Sequence, residues 1–175
     1  KTMTKVPQQK TQIHGLLKNQ STPINKIGCF HLLKKLFNLR RLSLSIKKNE
    51  GFKNTAYKDQ TGNYTIGFGH LIKKNEKHLL LKRHSKKALH RIFICDLNFA
   101  IEKFKKHYDK NRLPGNIQEV IIEMIFQLGI KNVIMFKRFN LCIKKKKFYL
   151  ASLEMMDSKW NKQTPKRVAR LISVL

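Results

Sequence analysis

Across residues 115–129, the apolar side chains of Ile117, Val120, Ile121, Met124, Ile125 and Leu128 wind nearly all the way round a helix. Such a helix has no face to offer water, so the rest of the chain must be built around it. Asn116 is its expected N-cap, Glu119 the residue completing a capping box, and Gly129 its terminator. Upstream, Leu89, Ile92, Phe93, Leu97, Ala100, Ile101 and Phe104 recur at intervals of three and four, predicting one long amphipathic helix over residues 85–107. Downstream, helices are expected over residues 133–143 and 145–156. A last helix should start with Thr164 as N-cap and Pro165 at N1, and bury Val168, Leu171, Ile172 and Leu175. The chain has 175 residues, 41 % of them apolar, enough for one core.

The strand signal lies before the long helix. Leu39, Leu42 and Ile46 carry a helical period that ends at Glu50; Thr55 to Lys58 is strand-like; and Gln60-Thr61-Gly62-Asn63 reads as a turn before Tyr64. Glu50 and Asp59 therefore stand on different elements that can face each other across a cleft. A carboxyl that protonates a leaving oxygen, paired with one that attacks or activates water, is what glycosidic cleavage needs. Two nearby acids are weak evidence alone, because most such pairs are solvated surface groups.

The whole string carries more weight. Glu50-Gly51-Phe52, Tyr57-Lys58-Asp59 and Tyr64-Thr65-Ile66-Gly67-Phe68-Gly69-His70 together resemble the catalytic segment of the phage-type lysozymes. Met124 to Gly129 resembles that family's buried central helix, and the run from Asp157 to Arg167 its late cleft-wall segment. The likeness covers the chain from about Leu39 to the end. It implies an α+β, lysozyme-like fold: a small antiparallel hairpin lobe and a mostly helical lobe joined by the long helix, with the active-site cleft between them. The expected domain is residues 39–175, preceded at residues 1–38 by a basic, flexible leader or extension.

The resemblance also assigns roles. Glu50 is implied to be the general acid, Asp59 the group that positions or activates the attacking water, and Thr65 the residue that holds it, in an inverting mechanism. Arg167 is implied to pair with Glu50. Asp96 falls within the apolar stripe of the long helix, where an unpaired carboxylate is costly to bury, and the family implies His70 as its partner, pinning the hairpin to the spine. Gln127 and Trp160 are expected on the substrate wall, an amide for an N-acetyl group and an aromatic face for a sugar ring, or else as a buried hydrogen-bonded pair. Leu71 and Phe126 are further cleft candidates. Asn49 and Glu123 depart from the family pattern, which has an acid at the first position and a neutral amide at the second.

The implied activity is that of a muramidase hydrolysing the β-1,4 bond between N-acetylmuramic acid and N-acetylglucosamine in bacterial peptidoglycan, with no cofactor. The alternative is a non-catalytic cationic wall- or membrane-binding antibacterial protein descended from a lysozyme. Charge gives that alternative its footing: 38 Lys and Arg against 10 Asp and Glu leave +28, a field that draws any polyanion. Peptidoglycan is the expected partner, with nonspecific contact to anionic polymers or membranes, no specific nucleic acid, and a monomeric state. The basic amphipathic stretch over residues 30–41 is expected to extend the first helix. Cys29, Cys95 and Cys142 are odd in number and lack CxxC spacing, and Cys95 is expected to pack. The scattered His residues show no ligand motif, so no metal is expected. No run of 18 apolar residues and no secretory h-region is visible, leaving localisation open.

Overall fold

The computed structural model describes residues 38–59 and 62–175. Most of the expected leader, including Cys29 and the Phe30 end of the basic stretch, lies outside them. Helix α1 (Leu39–Glu50) is capped by Asn38, whose side chain accepts from Arg41 N, and buries Leu42 and Ile46. Arg41 donates from Nε to Glu119 at 2.8 Å, while Asn38 N donates to the other Glu119 oxygen at 2.9 Å. The start of α1 is thus tied to the central helix.

Gly51, at φ 69°, ends α1 and turns the chain into the sheet. Strands β1 (Lys53–Lys58), β2 (Tyr64–Gly67) and β3 (His70–Leu71) form one antiparallel sheet in sequence order. Tyr57 faces Thr65 across β1 and β2; Thr65 faces Leu71, and Ile66 faces His70, across β2 and β3. The third strand has two residues and is followed by a 3-10 segment (Lys74–Leu80), so the small lobe is compressed. Its own core is small: Ile66, Leu79 and Leu89, with Ile72 and Ile92 alongside.

Helix α2 (Lys86–Tyr108) is the predicted spine, with Ser85 accepting from Ala88 N as N-cap. It closes the minor core with Leu89 and contributes Phe93, Leu97, Ala100, Ile101 and Phe104 to the main one. Helix α3 (Gly115–Leu128) runs through that main core, every residue from Ile117 to Ile125 being buried, and ends at Gly129, φ 76°. Its N-terminus corrects the sequence expectation. Pro114 occupies the cap position without a side-chain bond, Asn116 donates to Val174 O at 2.7 Å, and Glu119 serves α1. These polar groups hold distant segments rather than the local turn.

Residues 133–156 differ in their breaks. The first expected helix is two, α4 (Ile130–Met135) and α5 (Lys137–Lys144), divided at Phe136. Asn140 explains the division: its Nδ2 donates to the carbonyls of Val133 and Phe136, at 2.8 and 2.9 Å, and its Oδ1 accepts from the Tyr108 hydroxyl. Helix α6 (Phe148–Met156) starts only after Lys145-Lys146-Lys147, where Lys146 has φ 56°. Helices α7 (Lys159–Gln163) and α8 (Pro165–Ile172) complete the lobe. Pro165 stands at N1 as expected, but the Thr164 hydroxyl donates to Trp160 O instead of capping α8. Val168 and Leu171 are buried; Ile172 and Leu175 only partly so. No helix among the described residues is long and apolar enough to cross a membrane.

Candidate active site

Glu50 is the last residue of α1, where the helix meets the sheet. Its Oε1 accepts from Arg167 Nη1 on α8 at 2.8 Å, with the glutamate side chain 20 % and the arginine 10 % exposed. Burial pushes the Glu50 carboxyl above the usual range; the charge and hydrogen bond of Arg167 pull it back, and the Glu123 carboxylate raises it again. The net result is a carboxyl whose pKa stays raised. The β2–β3 turn closes in from the other side: Gly69, φ 79°, lies so near that a Cβ there would come within 2.8 Å of Glu50 Oε2. Any other residue there would be strained in conformation and would push the Glu50 carboxyl aside.

Asp59 follows β1. Asn63 N donates to its Oδ1 at 2.9 Å, and its own N–H donates to Asn63 O. Thr65, on β2, is 6 % exposed, and its hydroxyl donates to Tyr57 O at 3.4 Å. Glu50 therefore precedes β1 and abuts the β2–β3 turn, whereas Asp59 and Thr65 stand at the β1–β2 end of the same hairpin. Leu71, the Thr65 partner on β3, is 51 % exposed.

On α3, Phe126 and Gln127 are half-buried. Phe126 packs its ring against Phe93 at 5.6 Å. Gln127 Oε1 accepts from Trp160 Nε1 at 3.0 Å. Trp160 itself is 3 % exposed and part of the main core, so of the two expectations for this pair the buried, hydrogen-bonded one describes Trp160. The indole is needed to fill the large lobe, and its N–H orients the Gln127 amide from behind.

His70 sits where β3 meets α2. Its Nδ1 lies 2.8 Å from Asp96 Oδ2, and its Nε2 lies 3.2 Å from Glu76 Oε2. The Asp96 hydrogen bond does most to raise the His70 pKa, against its burial, with the Asp96 charge and Glu76 adding to the rise. Burial works against the ionised Glu76, but the Lys73 N–H and His70 outweigh it and lower its pKa. Glu76 was not singled out from sequence; the available signal was its place three residues after Lys73, where it accepts from Lys73 N at 2.9 Å. Sequence reading also gave Glu123 no task. It is 3 % exposed and bonded to Ser45, Asn49 and Arg170, so the two departures from the family pattern meet each other.

A cavity of about 550 Å³, lined by Lys47, Phe52, Phe68, Lys86, Lys87 and His90, contains none of the expected site residues. Cys95 is exposed rather than packed. Among the described residues no group of His, Cys, Asp or Glu is arranged to hold a metal ion.

A shielded glutamate held by arginine thus stands at the junction of a small sheet and a helical lobe. Residues 47–173 match the family model described as phage lysozyme, and the chain belongs to that family. It is similar to two proteins of Dictyostelium discoideum, named probable T4-type lysozyme 2 and probable T4-type lysozyme 1. They are 37 % and 33 % identical to it, over 74 % of this chain and 89 % and 90 % of their own lengths.

Proposed function

We propose that this protein hydrolyses the β-1,4 bond between N-acetylmuramic acid and N-acetylglucosamine in bacterial peptidoglycan, with inversion and without a cofactor. The observation that carries the proposal is the state of Glu50: shielded, raised in pKa and fixed in direction by Arg167. A carboxyl so held delivers its proton to the glycosidic oxygen as the bond to the anomeric carbon breaks. In the same step the Asp59 carboxylate and the Thr65 hydroxyl hold the water that attacks the anomeric carbon from the opposite face, and Asp59 takes the proton that this water gives up. Inversion calls for carboxyls about 6.5–9.5 Å apart, leaving room for that water. Gln127 meets the N-acetyl group, while Leu71 and Phe126 bound the cleft. Residues 39–175 are the catalytic unit, preceded at residues 1–38 by a leader or extension.

The test is turbidity loss of purified walls with analysis of the products. Glu50→Gln keeps shape and the strong positive charge while removing the proton donor. Its rate is expected to fall by at least about a hundredfold, the lower range for a general acid, and the parent should release products of inverted anomeric configuration. A mutant that clears walls as fast as its parent would establish the non-catalytic cationic alternative instead.

A further inference from the structure

We propose that Glu123 is the positioning residue of this site: its buried carboxylate joins the last turn of α1 to α8 and thereby fixes Glu50 against Arg167. The inference rests on the lysozyme reading above and adds a group that touches no substrate. Glu123 Oε1 accepts from Asn49 Nδ2 at 2.7 Å, and Asn49 is the residue next to Glu50. Its Oε2 accepts from Ser45 Oγ at 3.1 Å, one turn earlier on the same face of α1. Arg170, one turn beyond Arg167 on α8, donates to Oε1. The two elements that carry the acid and its arginine are thus both attached to one carboxylate on the central helix.

Packing alone does not account for it. Leu42 and Ile46 already seat α1 on the main core, and an apolar residue at position 123 would avoid the cost of taking a charge out of water. A charge accomplishes two things that a methyl group does not. It orients three donors at once, which sets the rotation of the α1 terminus on which Glu50 sits. It also places negative potential beside Glu50, opposing Arg167 and helping to retain the catalytic proton. Only 10 acids exist in the chain, and one of them is buried here.

Glu123→Gln tests this, being nearly isosteric. The expected result is a kcat lowered roughly tenfold to a hundredfold, the scale for a displaced catalytic group, with KM little changed. The alkaline limb of the pH–rate profile should move to lower pH, because Glu50 loses the neighbour that raises its pKa, and the Glu50 carboxyl titration followed by NMR should move the same way. Adding Asn49→Asp, which returns a carboxylate across the same hydrogen bond, should restore part of kcat and bring the limb back up. A folded Glu123→Gln variant with the parental kcat overturns the proposal; so does one whose Glu50 titration is unmoved, since a purely structural role would leave it there. If Glu123→Gln does not fold, Asn49→Ala cuts the link to the Glu50 turn while leaving Glu123 paired with Ser45 and Arg170, and an unchanged kcat then overturns it. Should the parent lyse nothing, the enzyme reading fails separately, and the Glu50 titration still decides the role of Glu123.

Discussion

Arg167 does opposing work at Glu50. It fixes the carboxyl in direction, but its charge also favours the ionised form, which is useless to a general acid. Arg167→Gln should therefore lower kcat while shifting the alkaline limb of the pH–rate profile upward, because Glu50 would hold its proton to higher pH. The parent and mutant profiles would show it; a downward shift would mean that Arg167 does not act on Glu50 as described. Losing a part-buried, charge-assisted bond should also cost about 1–3 kcal/mol of stability. Glu50 and Arg167 were legible in the sequence because the string around each is specific. Trp160 was half legible: its partner Gln127 was named, but residue type cannot distinguish an aromatic wall from an aromatic core. The contact of Glu76 depends on how β3 leads into the 3-10 segment, and the clearance at Gly69 on how the β2–β3 turn meets the end of α1, neither of which a local pattern fixes.

Among elements, the spine and the central helix were plain from apolar period, since a long stripe of burial leaves few alternatives. The breaks in residues 133–156 were not, because they rest on single polar contacts such as those of Asn140. Lys146 is one such place, with φ in the left-handed region, which costs an L-residue about 1–2 kcal/mol. Lys146→Gly should relieve that strain at some cost in unfolded-state entropy, for a net gain of roughly 0.5–1 kcal/mol seen as a higher Tm. The hairpin is joined to the spine through His70, Asp96 and Glu76. His70 has a raised pKa, so its contribution is complete below the unfolded value of about 6.5 and is lost as pH rises through the folded one. Glu76 has a lowered pKa, so its contribution is present above about 4.5 and is lost as pH falls through the folded value. The cluster is strongest between. Asp96→Asn should accordingly lower Tm near pH 5 more than near pH 9, by about 2–4 °C per kcal/mol lost; equal losses at both pH values would place the stabilisation outside the charge on His70.

At the scale of the whole molecule, half of the acids are committed to ion pairs within the fold. Of the 10 in the chain, Glu50, Glu76, Asp96, Glu119 and Glu123 all make intramolecular ion pairs. Those pairs also take up Arg and His, so what is felt outward is the excess of Lys and Arg over acids, +28 for the chain. A bacterial wall is a polyanion, and attraction to it acts over the Debye length, about 10 Å at 0.1 M salt and about 3 Å at 1 M. Lysis of intact walls should therefore slow steeply as salt rises. Cleavage of a short soluble oligosaccharide of alternating N-acetylmuramic acid and N-acetylglucosamine, its lactyl carboxyls amidated so that it carries no charge, should change little, because the part-buried Glu50–Arg167 pair is screened far less than the surface. Comparing the two substrates across the same salt series separates surface attraction from chemistry. Wall lysis that ignored salt would show the positive field to be incidental, and equal slowing on both substrates would locate the sensitivity in the cleft.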